Sequence, residues 1–106
     1  MLPDVPPLAR YEDADFRMAF ARIVTHFWSH GSWLDEGALI RDAGRLASIP
    51  GVLIEGSLDL GNLLGTPWLL AGAWPGSELI VVDEAGHTGT HPAMQAALVA
   101  ATDRFA

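Results

Sequence analysis

The chain has 106 residues, of which 50% are hydrophobic and 18% are charged, a composition typical of one small globular domain and not of a disordered segment. Its formal net charge of −7 opposes binding to nucleic acids and to anionic membranes, because both depend on Lys and Arg side chains that neutralise phosphates. It contains no cysteine, which excludes disulfides, thiolate metal sites and cysteine nucleophiles.

The N-terminal segment, residues 1–12, has three prolines in its first seven positions and is predicted to be extended. It lacks the basic start and apolar run of a signal peptide. No window of the chain approaches the roughly 18 uncharged apolar residues that a membrane span requires. Together with the absence of cysteine, which fits a reducing compartment, these features predict a cytoplasmic protein.

Residues 13–50 have the periodicity of two amphipathic helices. In the first, apolar residues recur at spacings of four, three and four, which places one stripe on one helix face: Phe16, Phe20, Ile23 and Phe27. Gly31 is a plausible end of this helix. The second helix is predicted to carry an apolar face from Leu39 to Ala47 and to end at Pro50-Gly51.

Residues 51–106 are predicted to form a βαβα unit. The apolar run Val52–Ile54 is typical of a buried strand, and Glu78–Val82 forms a second one. A helix over about Thr66–Ala73 connects them, and an Ala-rich helix with Pro92 near its start ends the chain. A crossover of this length implies two parallel strands, so the fold class is α/β.

Two parallel strands rarely form a sheet by themselves, because parallel sheets require cover on both faces and neighbours at their edges. We therefore expect this unit to be the end of a larger α/β sheet. A partner chain, or a second copy of this chain in a homodimer, is one way to cover the exposed sheet edge.

Asp59 and His87 are the strongest candidates for a catalytic site. Each follows one predicted strand, so both fall at the same edge of a parallel sheet, where sites form in open α/β folds. An aspartate in that position can accept a hydrogen bond from one histidine ring nitrogen and so orient the other nitrogen as a base. The alternative is an acid and a histidine on exposed loops without a shared role.

Four segments of the chain are recognisable in one continuous register from about residue 16: AFARIVTHFW (19–28), LIRDAGRLASIPGVLIEGSLD (39–59), AWPGSELIVVDEAGH (73–87) and LVAATDRFA (98–106). Together they resemble the C-terminal portion of proline iminopeptidases, serine peptidases of the α/β-hydrolase fold. The resemblance implies two cap-type helices in residues 13–50 and the last βαβα unit of the hydrolase core in residues 51–106.

The same resemblance implies that Asp59 and His87 match the aspartate and histidine of the catalytic triad. The substrate would be a peptide, or a small amide or ester, from which an N-terminal proline is released, without a cofactor or a metal. Two positions depart from the family pattern. Val24 stands where the family has a glutamate that binds the substrate's amino terminus, and the family's H-G-R-Y-D is here EGSLD, residues 55–59.

The serine nucleophile of such a triad is not found in these 106 residues. Neither the nucleophile motif G-x-S-x-G nor the H-G-G-P-G loop of the oxyanion hole occurs, and both lie upstream in the family. We therefore expect this polypeptide to be inactive by itself and to require a nucleophile-bearing segment. The alternative is a truncated, non-catalytic hydrolase domain that acts as a homo-oligomeric or partner-binding module.

The remaining serines and histidines of interest have simpler explanations. Ser32 and Ser57 are possible substitute nucleophiles, but ordinary turn serines are far commoner. His26 and His30 have the i, i+4 spacing of a metal pair, although a surface or core role is more common for such a pair. His91, which precedes a proline, is expected at a helix N-terminus.

The acids and aromatic residues also allow two interpretations each. Glu55 and Glu84 are possible site acids, although an Asp-Glu pair at positions 83–84 is typical of a solvated turn. Phe27, Trp28 and Trp33 are predicted to pack in a core or to line an apolar pocket. Trp68 and Trp74, which flank the crossover helix, are expected to be packing residues.

Overall fold

The computed structural model describes residues 8–61 and 64–106, so the predictions for residues 1–7 lie outside the described part. The chain divides into two compact units, Met1–Glu36 and Gly37–Ala106. In the described ranges, no helix has the length and apolar character that crossing a bilayer requires.

The first unit is built around one helix, α1 (Ala14–Ser29). Asp13 caps its start, because the Asp13 carboxylate accepts hydrogen bonds from the backbone N–H groups of Asp15 (2.8 Å) and Phe16 (3.1 Å). His30 is the C-cap and Gly31 follows with φ +54°, a conformation that glycine adopts without strain. The predicted helix and its end at Gly31 therefore agree with the structure.

The predicted apolar stripe of α1 is packed only in part. Residues Ala9–Glu12, in the segment predicted to be extended, form a short 3-10 helix. This turn brings the ring of Tyr11 against Phe16 and Phe20, with centroid distances of 5.4 and 5.8 Å. Further along the stripe, Ile23 and Phe27 stay exposed, so much of the apolar face of α1 has no cover within the described residues.

The second unit begins with a helix that is shorter than predicted. α2 covers Ala38–Asp42, and Ala43–Leu46 continue as a 3-10 helix instead of extending the α-helix to Ala47. Gly44 lies in the second segment, and glycine costs about 1 kcal/mol in a helix interior relative to alanine. The tighter 3-10 turns bury Ala43.

The second unit contains the predicted parallel pair of strands. Strand β1 (Gly51–Gly56) lies beside β2 (Ser77–Val82) in parallel, with Gly51 opposite Ser77 and Gly56 opposite Val82. Helix α3 (Gly65–Ala73) connects them. The chain is thus a mixed helix and strand structure with a small parallel sheet, and the parallel pairing predicted from the sequence is confirmed.

The indole of Trp74 holds the start of β1 against the preceding 3-10 segment. Its Nε1–H lies 3.0 Å from the carbonyl oxygens of both Leu46 and Ile49. The ring also lies over Gly51, where a Cβ atom would overlap the indole. Trp74, expected to be a packing residue, therefore also forms hydrogen bonds that fix the backbone just before β1.

Helix α4 (Pro92–Asp103) covers the carboxyl-terminal half of the sheet. Met94 from α4 packs with Val82 and Ala85 as the buried core, against the half-buried side chains of Ile54, Ile80 and Ala97. The strands themselves are mainly half-buried, and Val81 is exposed, whereas the sequence predicts strands buried on both faces. Burial on both faces requires elements packed over each face, and within the described residues the two faces of the sheet are covered only in part.

Candidate functional site

The candidate site lies where β1 and β2 end. Two backbone hydrogen bonds connect the loop after β1 to the end of β2 and the loop that follows it: the N–H of Ser57 donates to the Val82 carbonyl (2.9 Å) and that of Leu58 to the Ala85 carbonyl (2.9 Å). A third bond, from the N–H of Asp59 to the Gly56 carbonyl (3.1 Å), closes the turn after β1. Gly56 is required here, because a Cβ atom would overlap the backbone of Ala85 and Gly86. The two loops therefore run in direct backbone contact.

Asp59 and His87, the two residues singled out from the sequence, are brought into contact by these loops. His87 Nδ1 lies 2.6 Å from Asp59 Oδ2. The other carboxylate oxygen of Asp59, Oδ1, accepts a hydrogen bond of 2.8 Å from the N–H of Gly61. The Asp59 side chain is buried at 5% exposure and that of His87 is 79% exposed, so the acid is held inside and the base faces outward.

This geometry determines what the histidine ring can do chemically. A buried carboxylate is stabilised by hydrogen-bond donors, so an ionised Asp59 favours the His87 tautomer that carries its proton on Nδ1. The lone pair is then on Nε2, which has no hydrogen-bond partner among the described residues. An imidazole oriented in this way can accept a proton at Nε2 while the carboxylate stabilises the imidazolium.

A cavity of about 230 Å³ adjoins the pair. Its walls come from the end of β1, the glycine-containing loop after β2 and the first turns of α4, including Ile54, Glu55, Gly86, Thr88, Met94 and Leu98. Ligand sites usually have volumes of about 300–1,000 Å³. The volume of this cavity is therefore enough for one side chain or ring of a substrate, but not for a whole peptide.

Glu55 is a residue whose importance the sequence left open. It lies at the end of β1, has a relative exposure of 7% and lines the same cavity as Asp59 and His87. A buried carboxylate is uncommon unless it is hydrogen-bonded or paired. The sequence signal was its place at the end of a strand, but its burial depends on the packing of both loops.

The other predicted candidates have local surroundings of their own. His91 is the N-cap residue of α4, as expected. His26 and His30 lie with ring centroids 4.8 Å apart, and no group of three or more metal-ligating side chains occurs in the described part of the chain. Glu84 is exposed in a turn with φ +57°, and Ser32 has φ +52° within a short 3-10 helix, Gly31–Trp33.

Neither Ser57 nor the aromatic residues take the role that the sequence suggested for them. The Ser57 hydroxyl donates a hydrogen bond to Asp83 Oδ1 (3.0 Å) instead of to a histidine. The rings of Phe27 and Trp33 meet edge to face at 5.2 Å, yet both side chains are exposed, and Trp28 is 79% exposed. Trp68, which was expected to pack, is also exposed.

Comparison with protein-family models gives no match. Among curated proteins, a probable proline iminopeptidase of Streptomyces coelicolor is 56% identical over 107 aligned positions, which cover 95% of this chain and 33% of that protein. Proline iminopeptidases of Xanthomonas citri and Neisseria gonorrhoeae are 43% and 37% identical over 91% and 87% of the chain, and 31% and 30% of their own lengths. The chain thus spans about a third of the length of the curated relatives it matches. By descent, it is homologous to the C-terminal portion of the proline iminopeptidases.

Proposed function

We propose that this chain is the C-terminal part of a serine peptidase with the α/β-hydrolase fold, which releases an N-terminal proline from peptides. In this proposal Asp59 and His87 are two members of its catalytic triad. The observation that carries the proposal is the 2.6 Å contact between His87 Nδ1 and Asp59 Oδ2 at the carboxyl ends of two parallel strands.

The order of Asp59 and His87 along the chain supports its place in the hydrolase fold. In α/β-hydrolases the triad residues come in the order serine, acid, histidine, and here the acid follows β1 and the histidine follows β2. Residues 51–106 then form the last βαβα unit of the core, and residues 13–50 derive from the cap. The 56% identity with the Streptomyces coelicolor protein supports this assignment.

The proposed reaction has two steps. The serine oxygen of a nucleophile-bearing segment attacks the carbonyl carbon of the N-terminal proline, and its proton passes to His87 Nε2. The resulting imidazolium is stabilised by Asp59 and gives this proton to the leaving amine as the C–N bond breaks. A water molecule then attacks the acyl-enzyme, His87 again takes and returns a proton, and free proline leaves.

The decisive experiment restores the missing part of the fold. The chain is fused behind the part of the Streptomyces coelicolor relative that precedes the matched third, and hydrolysis of proline β-naphthylamide is measured. The fusion is expected to hydrolyse this substrate. His87→Ala is expected to lower kcat by roughly 10⁶-fold and Asp59→Asn by roughly 10⁴-fold, as for other triads.

Asp103→Asn is the matched control for Asp59→Asn, because it makes the same chemical change at an exposed carboxylate at the end of α4. It is expected to leave kcat within about twofold of the parent fusion. A fusion that stays fully active with His87→Ala would refute the proposed role of the pair. Turnover by the 106-residue chain alone, abolished in His87→Ala, would refute the need for another segment.

A second candidate is a non-catalytic module that associates with a second copy of itself. The observation that favours it is the number of large apolar side chains exposed in the second unit, among them Leu60 at 85%, Trp68 at 66% and Leu39 at 65%. Size-exclusion chromatography with light scattering tests it. A monomeric mass together with a cooperative thermal transition would contradict this candidate.

A further inference from the structure

We propose that Ser57 is a positioning residue for the pair formed by Asp59 and His87, and this inference rests on the proposed function. Ser57 is two residues before Asp59 on the loop after β1. Its hydroxyl contacts the loop after β2 just before His87. It therefore connects the two loops from which the acid and the base project.

The side chain of Ser57 forms two hydrogen bonds with the second loop. The hydroxyl donates to Asp83 Oδ1 at 3.0 Å and accepts from the N–H of Glu84 at 2.9 Å. Asp83 Oδ1 also accepts from the same N–H at 2.9 Å. One hydroxyl thus holds both a side chain and a backbone group of the opposite loop.

The backbone that Ser57 holds is in an unfavourable conformation. Glu84 has φ +57°, and the left-handed region costs energy for a residue with a Cβ atom. Such a conformation persists where neighbouring bonds hold it, and the bond from its N–H to Ser57 is one of them. His87 follows Glu84 by three residues, so the conformation of this turn determines the position of the backbone that carries the imidazole.

The spacing of the two loops is limited from both sides. Gly56 lies so close to Ala85 that a Cβ atom would overlap the Ala85 carbonyl, which prevents the loops from coming closer. The Ser57 hydroxyl opposes their separation, together with the backbone hydrogen bonds from Ser57 to Val82 and from Leu58 to Ala85. Because Asp59 is the one hydrogen-bond partner of the His87 ring within the described residues, a small shift between the loops acts directly on the Nδ1–Oδ2 contact.

The test measures the tautomer of His87 in the 106-residue chain, so it does not require catalytic activity. Ring ¹⁵N shifts of the neutral imidazole give the ratio of the Nδ1–H form to the Nε2–H form, and the Asp59 contact favours the Nδ1–H form. Ser57→Ala removes both hydrogen bonds of the hydroxyl, so the loops hold the Nδ1–Oδ2 contact less firmly. The ratio is expected to fall by about two- to tenfold, the range of a typical net hydrogen-bond contribution. Asp83→Ala removes the bond from the hydroxyl to Asp83 Oδ1 but leaves the bond from the N–H of Glu84, so it is expected to lower the ratio by a smaller factor.

Two control variants separate positioning from general stability. Ser57→Thr keeps the hydroxyl and is expected to keep the ratio. Ser77→Ala removes a hydroxyl at the opposite end of β2, which donates hydrogen bonds to the carbonyls of Ala71 and Trp74. This variant is also expected to keep the tautomer ratio. An unchanged ratio in both Ser57→Ala and Asp83→Ala, or an equal fall in Ser77→Ala, would overturn the inference.

In the fusion enzyme, Ser57→Ala is expected to lower kcat by a similar factor and to leave KM within about twofold, because it displaces the base without touching the substrate. An unchanged kcat in an active fusion would also overturn the inference. If the fusion shows no dependence on His87, the proposed function fails, but the tautomer measurement still decides whether Ser57 positions the pair.

Discussion

Replacing Gly56 by alanine tests the close contact of the two site loops. In the structure a Cβ atom at Gly56 would lie less than 3.0 Å from three backbone atoms, the carbonyl carbon and oxygen of Ala85 and the carbonyl oxygen of Gly86. Backbone atoms cannot rotate away as the end of a side chain can. The loop after β2 must therefore move, together with His87.

The magnitude follows from two opposing terms. Overpacking costs about 1–3 kcal/mol, and contact with three backbone atoms places Gly56→Ala near the upper end, at about 3 kcal/mol. Alanine also restricts the unfolded chain, which stabilises the folded state by up to about 1 kcal/mol. The expected net loss of unfolding free energy is about 2 kcal/mol, which corresponds to a fall in Tm of roughly 8–16 °C for a unit of this size.

The assay is urea and thermal unfolding followed by far-UV circular dichroism, with Gly72→Ala as the matched control. Gly72 lies in α3, and a Cβ atom there would meet no atom within 4 Å. The same substitution is therefore expected to stabilise the protein by about 0.5–1 kcal/mol. If Gly56→Ala is as stable as the parent chain while Gly72→Ala is stabilised, the proposed steric contact between the loops is refuted.

Substitutions at three further positions test other contacts by the same unfolding measurements. Trp74→Phe removes the indole N–H shared by the Leu46 and Ile49 carbonyls and is expected to cost about 1–3 kcal/mol; a cost below about 0.5 kcal/mol would show that these bonds do not stabilise β1. Asp13→Ala removes the cap of α1 and should lower the free energy of unfolding by about 1 kcal/mol, whereas Asp13→Ser, which keeps a capping oxygen, should lower it much less. Equal losses in the two variants would contradict a capping role. Glu78→Gln breaks the ion pair with Arg104, but both side chains are about half exposed, so the expected cost is below about 1 kcal/mol and should shrink further in salt; a larger, salt-independent loss would contradict this.

The sequence alone determined the type and order of the main elements. The stripe from Phe16 to Phe27 predicted α1, and the short apolar runs bounded by Gly and Pro predicted β1 and β2 within one or two residues. These signals are local, since side-chain periodicity depends only on the helix or strand itself. Chain order alone also placed Asp59 and His87 at one edge of the sheet, because parallel strands present their carboxyl ends together.

The tertiary structure decided what depends on groups distant in the chain. The 2.6 Å contact of Asp59 with His87 joins residues 28 positions apart, and the bond from Ser57 to Asp83 spans 26. No local pattern encodes such distances, because they depend on how closely the backbone at Gly56 approaches Ala85. For the same reason, the sequence presented Ser57 as a possible nucleophile, whereas the packed loops turn its hydroxyl toward Asp83 and the backbone before His87.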